Sequence, residues 1–452
     1  MIGALELAEA ALAAARGKEA EALVQTELSS FARYASSEVH QPTLVENHVV
    51  QLRIARDGRV GGATTNRTDA EAFAALARRA TDAAERAPAD PDFEGFAPAA
   101  EAPPVEGYDE ATAALEPAEQ AHLARAAIEA ARPFGLYGYV TSAATELAVA
   151  SSTGLAVAQR STDASVLALA ATEGASGYAE QQAWAIAGID PAESAQEAAA
   201  KASATRDASE LEPGSYRAVL EPYAFAELLE YFAMDSFGGL GILEESSYFA
   251  GRIGKRLFAP NVSITEDPLD RAGLPKAIDF EGTPRRRVPI IEEGVARGVV
   301  WDRPTAARAG VESTGNAVQP EYRKYGPQPV ALSVTGGHAT SLDELSGLVE
   351  DGIYVTRLHY LSVVSPRDGI VTGMTRDGTF RVRDGRRSEP LVNLRFTVSV
   401  PELLAELPGL TRKRTLVNRT QWYGDRYAFG FLVPGIATGK FSITGNGSGP
   451  GL

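Results

Sequence analysis

Residues 215–240 read SYRAVLEPYAFAELLEYFAMDSFGGL, and the change of texture inside this stretch decides how the second half of the chain folds. Residues 216–221 form a short apolar run of strand type. Pro222 then stands where a helix tolerates proline best, its first turn, and no further Pro or Gly interrupts the chain before Gly238-Gly239. The spacing predicts a helix over 222–236 with Leu228, Leu229, Phe232 and Ala233 on a buried face. Acids recur along it, at Glu221, Glu227, Glu230 and Asp235, so it begins like a site of chemistry. It holds no His and no Cys, and its role is the question the rest of the chain must answer.

Upstream of this helix the chain is Ala-rich. Residues 20–34 and 43–65 alternate as strands with Asp57-Gly58 as a hairpin turn, and Thr68 and Glu71 are spaced as a capping box for a helix to about Arg86. Residues 87–116, rich in Pro, Ala and acid, read as a surface connector. A helix from Pro117 to about Arg132, strands at 136–148, 153–161, 164–171 and 178–188, and a helix over 191–204 follow. Helix, strands, helix thus occurs twice, which divides an N-terminal α+β domain (1–210, antiparallel sheets with flanking helices) into sub-halves of about 1–100 and 101–210.

Residues 206–214, RDASELEPG, form the boundary. Beyond it, over 211–452, short apolar runs separated by Gly, Pro and Asp predict a β-rich domain with few helices, at 222–236 and 400–407. The fold class is therefore α+β. The tail TGNGSGPGL reads as mobile.

Composition narrows the function. The 43 basic and 59 acidic residues leave a net charge of −16 without long basic runs, which disfavours nucleic acid and anionic membranes as partners. No Cys is present, so disulfides, thiolate nucleophiles and sulfur-ligated zinc are excluded. Glu6 and Glu9 inside the N-terminal apolar stretch argue for an amphipathic helix rather than a signal peptide, and a cytoplasmic setting is expected.

The five His residues, 40, 48, 122, 338 and 359, include no pair within one helical turn, so a His-based metal helix is absent. Gly-x-Ser-x-Gly does not occur, and the glycines of SFGGLG fit no phosphate-binding loop. Glu227 with Glu230 and Glu244 with Glu245 are spaced for acid–base work, but an acidic chain produces such pairs by chance. The remaining candidate is 356–386, TRLHYLSVVSPRDGIVTGMTRDGTFRVRDGR, read as a meander with turns at Asp377-Gly378 and Asp384-Gly385. Its polar side either faces water or lines a groove.

Five stretches in order, VVQLRIARDGRVGGATTN (49–66), SSYFAGRIGKRLFAPNVSITEDP (246–268), IDFEGTPRRRVPIIEEGVARGVVWDRPTAARAG (278–310), ESTGNA (312–317) and the meander from YVTRLHY (354), together resemble the TldD/PmbA family, modulators of DNA gyrase or TldD–TldE metallopeptidases. The resemblance implies protomers paired around a chamber, in which TldD-type chains carry zinc on a His-Glu-x-x-x-His helix with a later Cys. PmbA/TldE-type chains lack that motif. Here Glu230 and Asp235 fall at the two His positions and Tyr231 at the catalytic Glu, so the resemblance implies no catalytic and no metal residue in this chain. It implies zinc in a TldD-like catalytic partner, with unfolded or leader peptides as substrate. Position and composition make Thr356, Arg357, His359, Tyr360, Arg367, Thr372 and Met374 the expected peptide-groove lining. Two alternatives stand beside this: a homodimer that binds peptides on its own, and a metal-independent enzyme on a small peptide-derived substrate.

Overall fold

The computed structural model of the chain describes residues 3–422 and 424–449. Among these, the strands of the first half form one antiparallel sheet: β1 (Glu19–Ala35), β2 (Glu38–Arg56), β3 (Arg59–Thr65), β4 (Gly135–Ser151), β5 (Ala156–Thr172) and β6 (Ala175–Ala183), in the order β3-β2-β1-β4-β5-β6. Two three-stranded meanders thus join edge to edge at β1 and β4. The Asp57-Gly58 turn has both residues at positive φ, 52° and 71°, the geometry a tight two-residue hairpin requires. Helices α1 (Ala4–Ala14) and α2 (Ala70–Arg86) cover β1, β2 and β4 through a core that includes Leu7, Leu52 and Leu76. A short α3 (Glu110–Ala113) leads to α4 (Pro117–Ala130) and α5 (Pro191–Ala204), which bury a second small core on β4–β6.

The second sheet is assembled from β7 (Gly214–Leu220), β8 (Ile264–Glu266), β9 (Val288–Glu292), β10 (Val295–Ala296), β11 (Leu332–Val334), β12 (Gly352–Ser365), β13 (Ile370–Arg383), β14 (Arg386–Leu391), β15 (Leu394–Ser399), β16 (Gly409–Asn418) and β17 (Gly430–Asn446). Its order is β10-β9-β8-β11-β17-β15-β13-β12-β7, and β7 also pairs with β17, so that β17, β15, β13, β12 and β7 close into a ring. Helix α6 (Pro222–Ser236) follows β7 and packs on β12 and β17. It is followed by α7 (Gly239–Leu243), α8 (Arg303–Ala309), α9 (Leu342–Val349) and α10 (Val400–Ala405).

Several sequence expectations are corrected. The strands expected at 153–161 and 164–171 are one long strand, β5, which begins only at Ala156, because Thr162 and Asp163 pair with β4 rather than turning. The cap of α2 is Asp69, whose carboxylate accepts the Ala72 N–H at 2.9 Å, in place of the box from Thr68 to Glu71. The 87–116 connector is irregular apart from α3 and is pinned, with Phe96 and Thr112 buried. Helices α8 and α9 were not anticipated. Asp377-Gly378 is a bulge inside β13, where the pairing passes from Val355–Thr379 to Arg357–Arg376 with only Thr356 opposite. Gly378 is obligatory there, since a Cβ would lie 2.5 Å from Thr356 Oγ1 and φ is 135°. Of the tail, 444–446 complete β17, whereas 450–452 lie outside the described residues.

Candidate functional site

Helix α6 is buried on most of its circumference. Leu228, Leu229, Phe232 and Ala233 are at most 1% exposed, as the apolar spacing predicts, and Tyr223, Phe225 and Ala226 are buried too. Each fully buried Leu or Phe contributes about 1.5–3 kcal/mol, so this helix is a principal element of the core. Its end is fixed by Gly239, where a Cβ would lie 2.0 Å from the Trp301 ring. The glycines of SFGG therefore serve close packing.

The first acid, Glu221, is buried and does not cap the helix with its side chain. It accepts hydrogen bonds from Lys201 Nζ at 2.7 Å and Tyr354 Oη at 2.6 Å, which ties α5 of the first half to α6 and β12. Burial and the neighbouring carboxylates act oppositely on Lys201, and the carboxylates Glu221 and Glu197 prevail, raising its pKa. This is a structural ion pair.

Of the other acids of α6, Glu227 and Glu230 face a polar cavity of about 320 Å³. Its walls come from both halves: Tyr178 and Glu180 on β6, Glu227 and Glu230 on α6, Arg357 and His359 on β12, and Arg419 just beyond β16. Arg419 lies 2.6 Å from Glu230. Burial works against the Arg419 charge, but Glu230, Glu227 and Glu180 more than offset it and hold its proton more tightly. Arg357 pairs with Asp377 at 2.8 Å, an ion pair made possible by the bulge, and stacks 4.1 Å from the centre of the Tyr178 ring.

Glu180 accepts the Tyr178 hydroxyl at 2.6 Å and the Asn418 N–H at 3.0 Å. Glu227 has neither a hydrogen bond nor an ion pair among the described residues. Burial pushes its carboxyl up to about 7, against the pull of Arg419 and Arg357. Burial, with Arg376 and Arg357 nearby, pushes the His359 imidazole down to about 4, so it is neutral at physiological pH.

Beyond the Glu230 and Gln421 side chains lies a second cavity of about 360 Å³, walled mainly by apolar residues such as Met234, Phe280, Val318 and Phe429. Its floor is held by buried polar groups. Glu266 accepts from Asn316 Nδ2 at 3.1 Å and from the Val330 and Ala331 N–H groups at 3.0 and 2.9 Å. Asp279 accepts the N–H groups of Glu281, Thr283 and Ala317, each at 2.9 Å. The stretches ITEDP, IDFEGT and ESTGNA thus interlock as backbone staples, which satisfy loops that would otherwise carry unpaired buried amides.

Of the groove candidates, Arg357 and His359 line the polar cavity. Thr356 is buried beneath it, 3.4 Å from Glu221. Tyr360 is 77% exposed, in the left-handed region at φ 52°, with its ring 4.1 Å from that of His359. Arg367 is exposed in the turn after β12, Thr372 donates to Phe396 O at 2.8 Å, and Met374 lies against Gly447. Tyr231 is half-buried against the core, and burial raises its pKa and that of the half-buried Asp235. Sequence reasoning missed Arg419, Glu180 and Lys201, which lie far from α6 in the chain and carry no motif.

The fold defines the class. A putative modulator of DNA gyrase from Thermotoga maritima matches with a TM-score of 0.84 at 18% identity, over 97% of this chain and 99% of that one. TldE from Thermococcus kodakarensis matches with a TM-score of 0.84 at 20% identity, over 94% and 97%. A family model described as PmbA/TldA metallopeptidase C-terminal domain matches residues 213–445, and another, PmbA/TldA metallopeptidase domain 1, matches 20–84. The chain belongs to the TldD/PmbA family. A curated relative, a metalloprotease of Methanothermobacter thermautotrophicus, is 28% identical over 37% of each chain. An uncharacterized protein of Methanocaldococcus jannaschii is 36% identical over 22% of this chain and 24% of its own. These segments span well under half of either relative.

Zinc, which the family implies, does not fit the residues at this place. A thiolate is unavailable in the chain, and Glu230 already holds a guanidinium. Among the described residues no group of three or more His, Cys, Asp or Glu could hold a metal ion. None of the helices is long and apolar enough to cross a membrane.

Proposed function

We propose that this chain is the non-catalytic, TldE-like subunit that pairs with a TldD-like zinc subunit in a chambered metallopeptidase for unfolded or leader peptides. The observation that carries the reading is the Arg419–Glu230 pair at 2.6 Å. Glu230, where the family resemblance puts a metal ligand, is held by a fixed organic cation, and a guanidinium cannot activate water as zinc does. The likeness of the fold to TldE and the metalloprotease relative support the partnership. The complex is assigned to the cytoplasm, in keeping with a chain free of Cys.

The chain's own contribution is to shape the substrate path. The bulged β12–β13 region presents Arg357, His359 and Tyr360 beside the polar cavity, and the apolar cavity next to it accepts an uncharged side chain. Main-chain pairing of an extended peptide gives affinity with little sequence demand, leaving selection to such pockets. Co-expression with a TldD-like chain and metal analysis test this. A stable complex with zinc, and no stoichiometric zinc in the isolated chain, is expected. Stoichiometric zinc in the isolated chain, or no complex, overturns the reading.

A further inference from the structure

We propose that the polar cavity beside α6 is a subsite for a primary ammonium group, supplied by a lysine side chain or a peptide amino terminus. The proposal deepens the preceding reading, since it takes the ligand to be a peptide. It starts from how the charges around the cavity are matched. Three carboxyl groups in its wall, Glu180, Glu227 and Glu230, stand against two guanidinium groups, Arg357 and Arg419, while Asp377 behind the wall is shared by Arg357 and Arg376 at 2.8 and 3.9 Å. Each guanidinium is paired, Arg357 with Asp377 at 2.8 Å and Arg419 with Glu230 at 2.6 Å. His359 stays neutral.

The excess is therefore negative. Of the two carboxyl groups without a cation, Glu180 is held by Tyr178 and Asn418. Glu227 alone lines the cavity with no partner among the described residues. A carboxyl group left this way on a core helix is costly unless something completes it. The space of about 320 Å³ beside it admits a side chain. A ligand that brings one positive charge and several N–H donors meets what Glu227 lacks. An anion would meet guanidinium groups already paired, against a net negative wall. The Tyr139 and Trp422 rings, 5.7 Å apart, wall the same cavity and suit the methylene stem of a lysine.

Trp422 provides the readout, through quenching of its fluorescence when the cavity fills. The isolated full chain is titrated with C-terminally amidated alanine hexapeptides carrying Lys, norleucine or Glu at the third position, N-acetylated, and with the norleucine peptide left unacetylated. We expect the Lys peptide, the free-amino peptide, or both to bind about tenfold or more tightly than acetylated norleucine, with Glu weakest. Which of the two binds identifies the source of the ammonium. Glu227→Gln should abolish that preference, and Trp422→Phe should remove the signal. Equal binding of Lys, free-amino and norleucine peptides, tightest binding of the Glu peptide, or a preference that survives Glu227→Gln overturns the proposal. Because no partner subunit is needed, these outcomes are separate from whether the TldD-like complex forms.

Discussion

Replacing Arg419 by Met tests whether the guanidinium is the resident cation of the α6 cavity. The side chains of Arg419 and Glu230 are only 20% and 18% exposed. Removing one member of a buried ion pair costs roughly 3–5 kcal/mol, because the other charge is left without compensation. Access of water from the cavity trims this to about 3 kcal/mol. At about 1 °C per kcal/mol for a chain of this length, the melting temperature should fall by roughly 3 °C. Arg419 also opposes protonation of Glu227, whose carboxyl already sits near 7. Without it Glu227 takes up a proton more readily, so the loss should be smaller at pH 5 than at pH 8. Glu230→Gln added to Arg419→Met should recover most of the loss, since neither member of the pair then carries charge. Thermal scans of the two variants at both pH values decide the matter. A single variant within 1 °C of the parent, or a double variant whose losses simply add, would refute the reasoning.

Two further outcomes follow from the same geometry. The Glu227 carboxyl is raised in the folded state, from 4.5 to about 7, so its unfavourable effect is absent below the unfolded value and grows as pH rises through the folded one. At 1.36 kcal/mol per unit, reduced for partial exposure, Glu227→Gln should stabilise the chain by about 1–3 kcal/mol at pH 8 and by almost nothing at pH 4, measured by denaturant unfolding; equal stabilisation at both pH values counts against it. Gly239→Ala should destabilise by about 2–3 kcal/mol, because its methyl would enter the Trp301 ring, and a companion Trp301→Leu should relieve part of the cost.

Helix α6 shows what the sequence made legible. Pro222 and Gly238-Gly239 bound it, and the apolar spacing picks out its most deeply buried residues. Local signals of the same kind were present elsewhere and went unused. Asp302 caps α8 before Pro304, with Gly310 left-handed at its end, and Ser341 caps α9 by accepting the Glu344 N–H at 3.1 Å. Asp377-Gly378 misled for a physical reason: positive φ at both residues serves a bulge as well as a turn, and only the facing strand decides which. The site itself was least legible. Glu180, Arg357 and Arg419 reach α6 from three separate parts of the chain; Arg357 stood out in the 356–386 stretch, but an arginine after a strand such as Arg419 is as ordinary as any surface residue until the fold brings carboxylates to it.

That dispersion also separates the two jobs α6 performs. Its apolar residues and Glu221 bind it into the core and, through Lys201, to the first half of the chain, and none of these contacts involves the positions where a metal helix would hold its ion. Glu227 and Glu230 face a cavity instead. The Arg419–Glu230 pair balances one of these carboxylates, while Glu227 has no cation among the described residues. The unpaired carboxyl, which burial raises to about 7, is thus the group to which the ammonium of a ligand would be drawn.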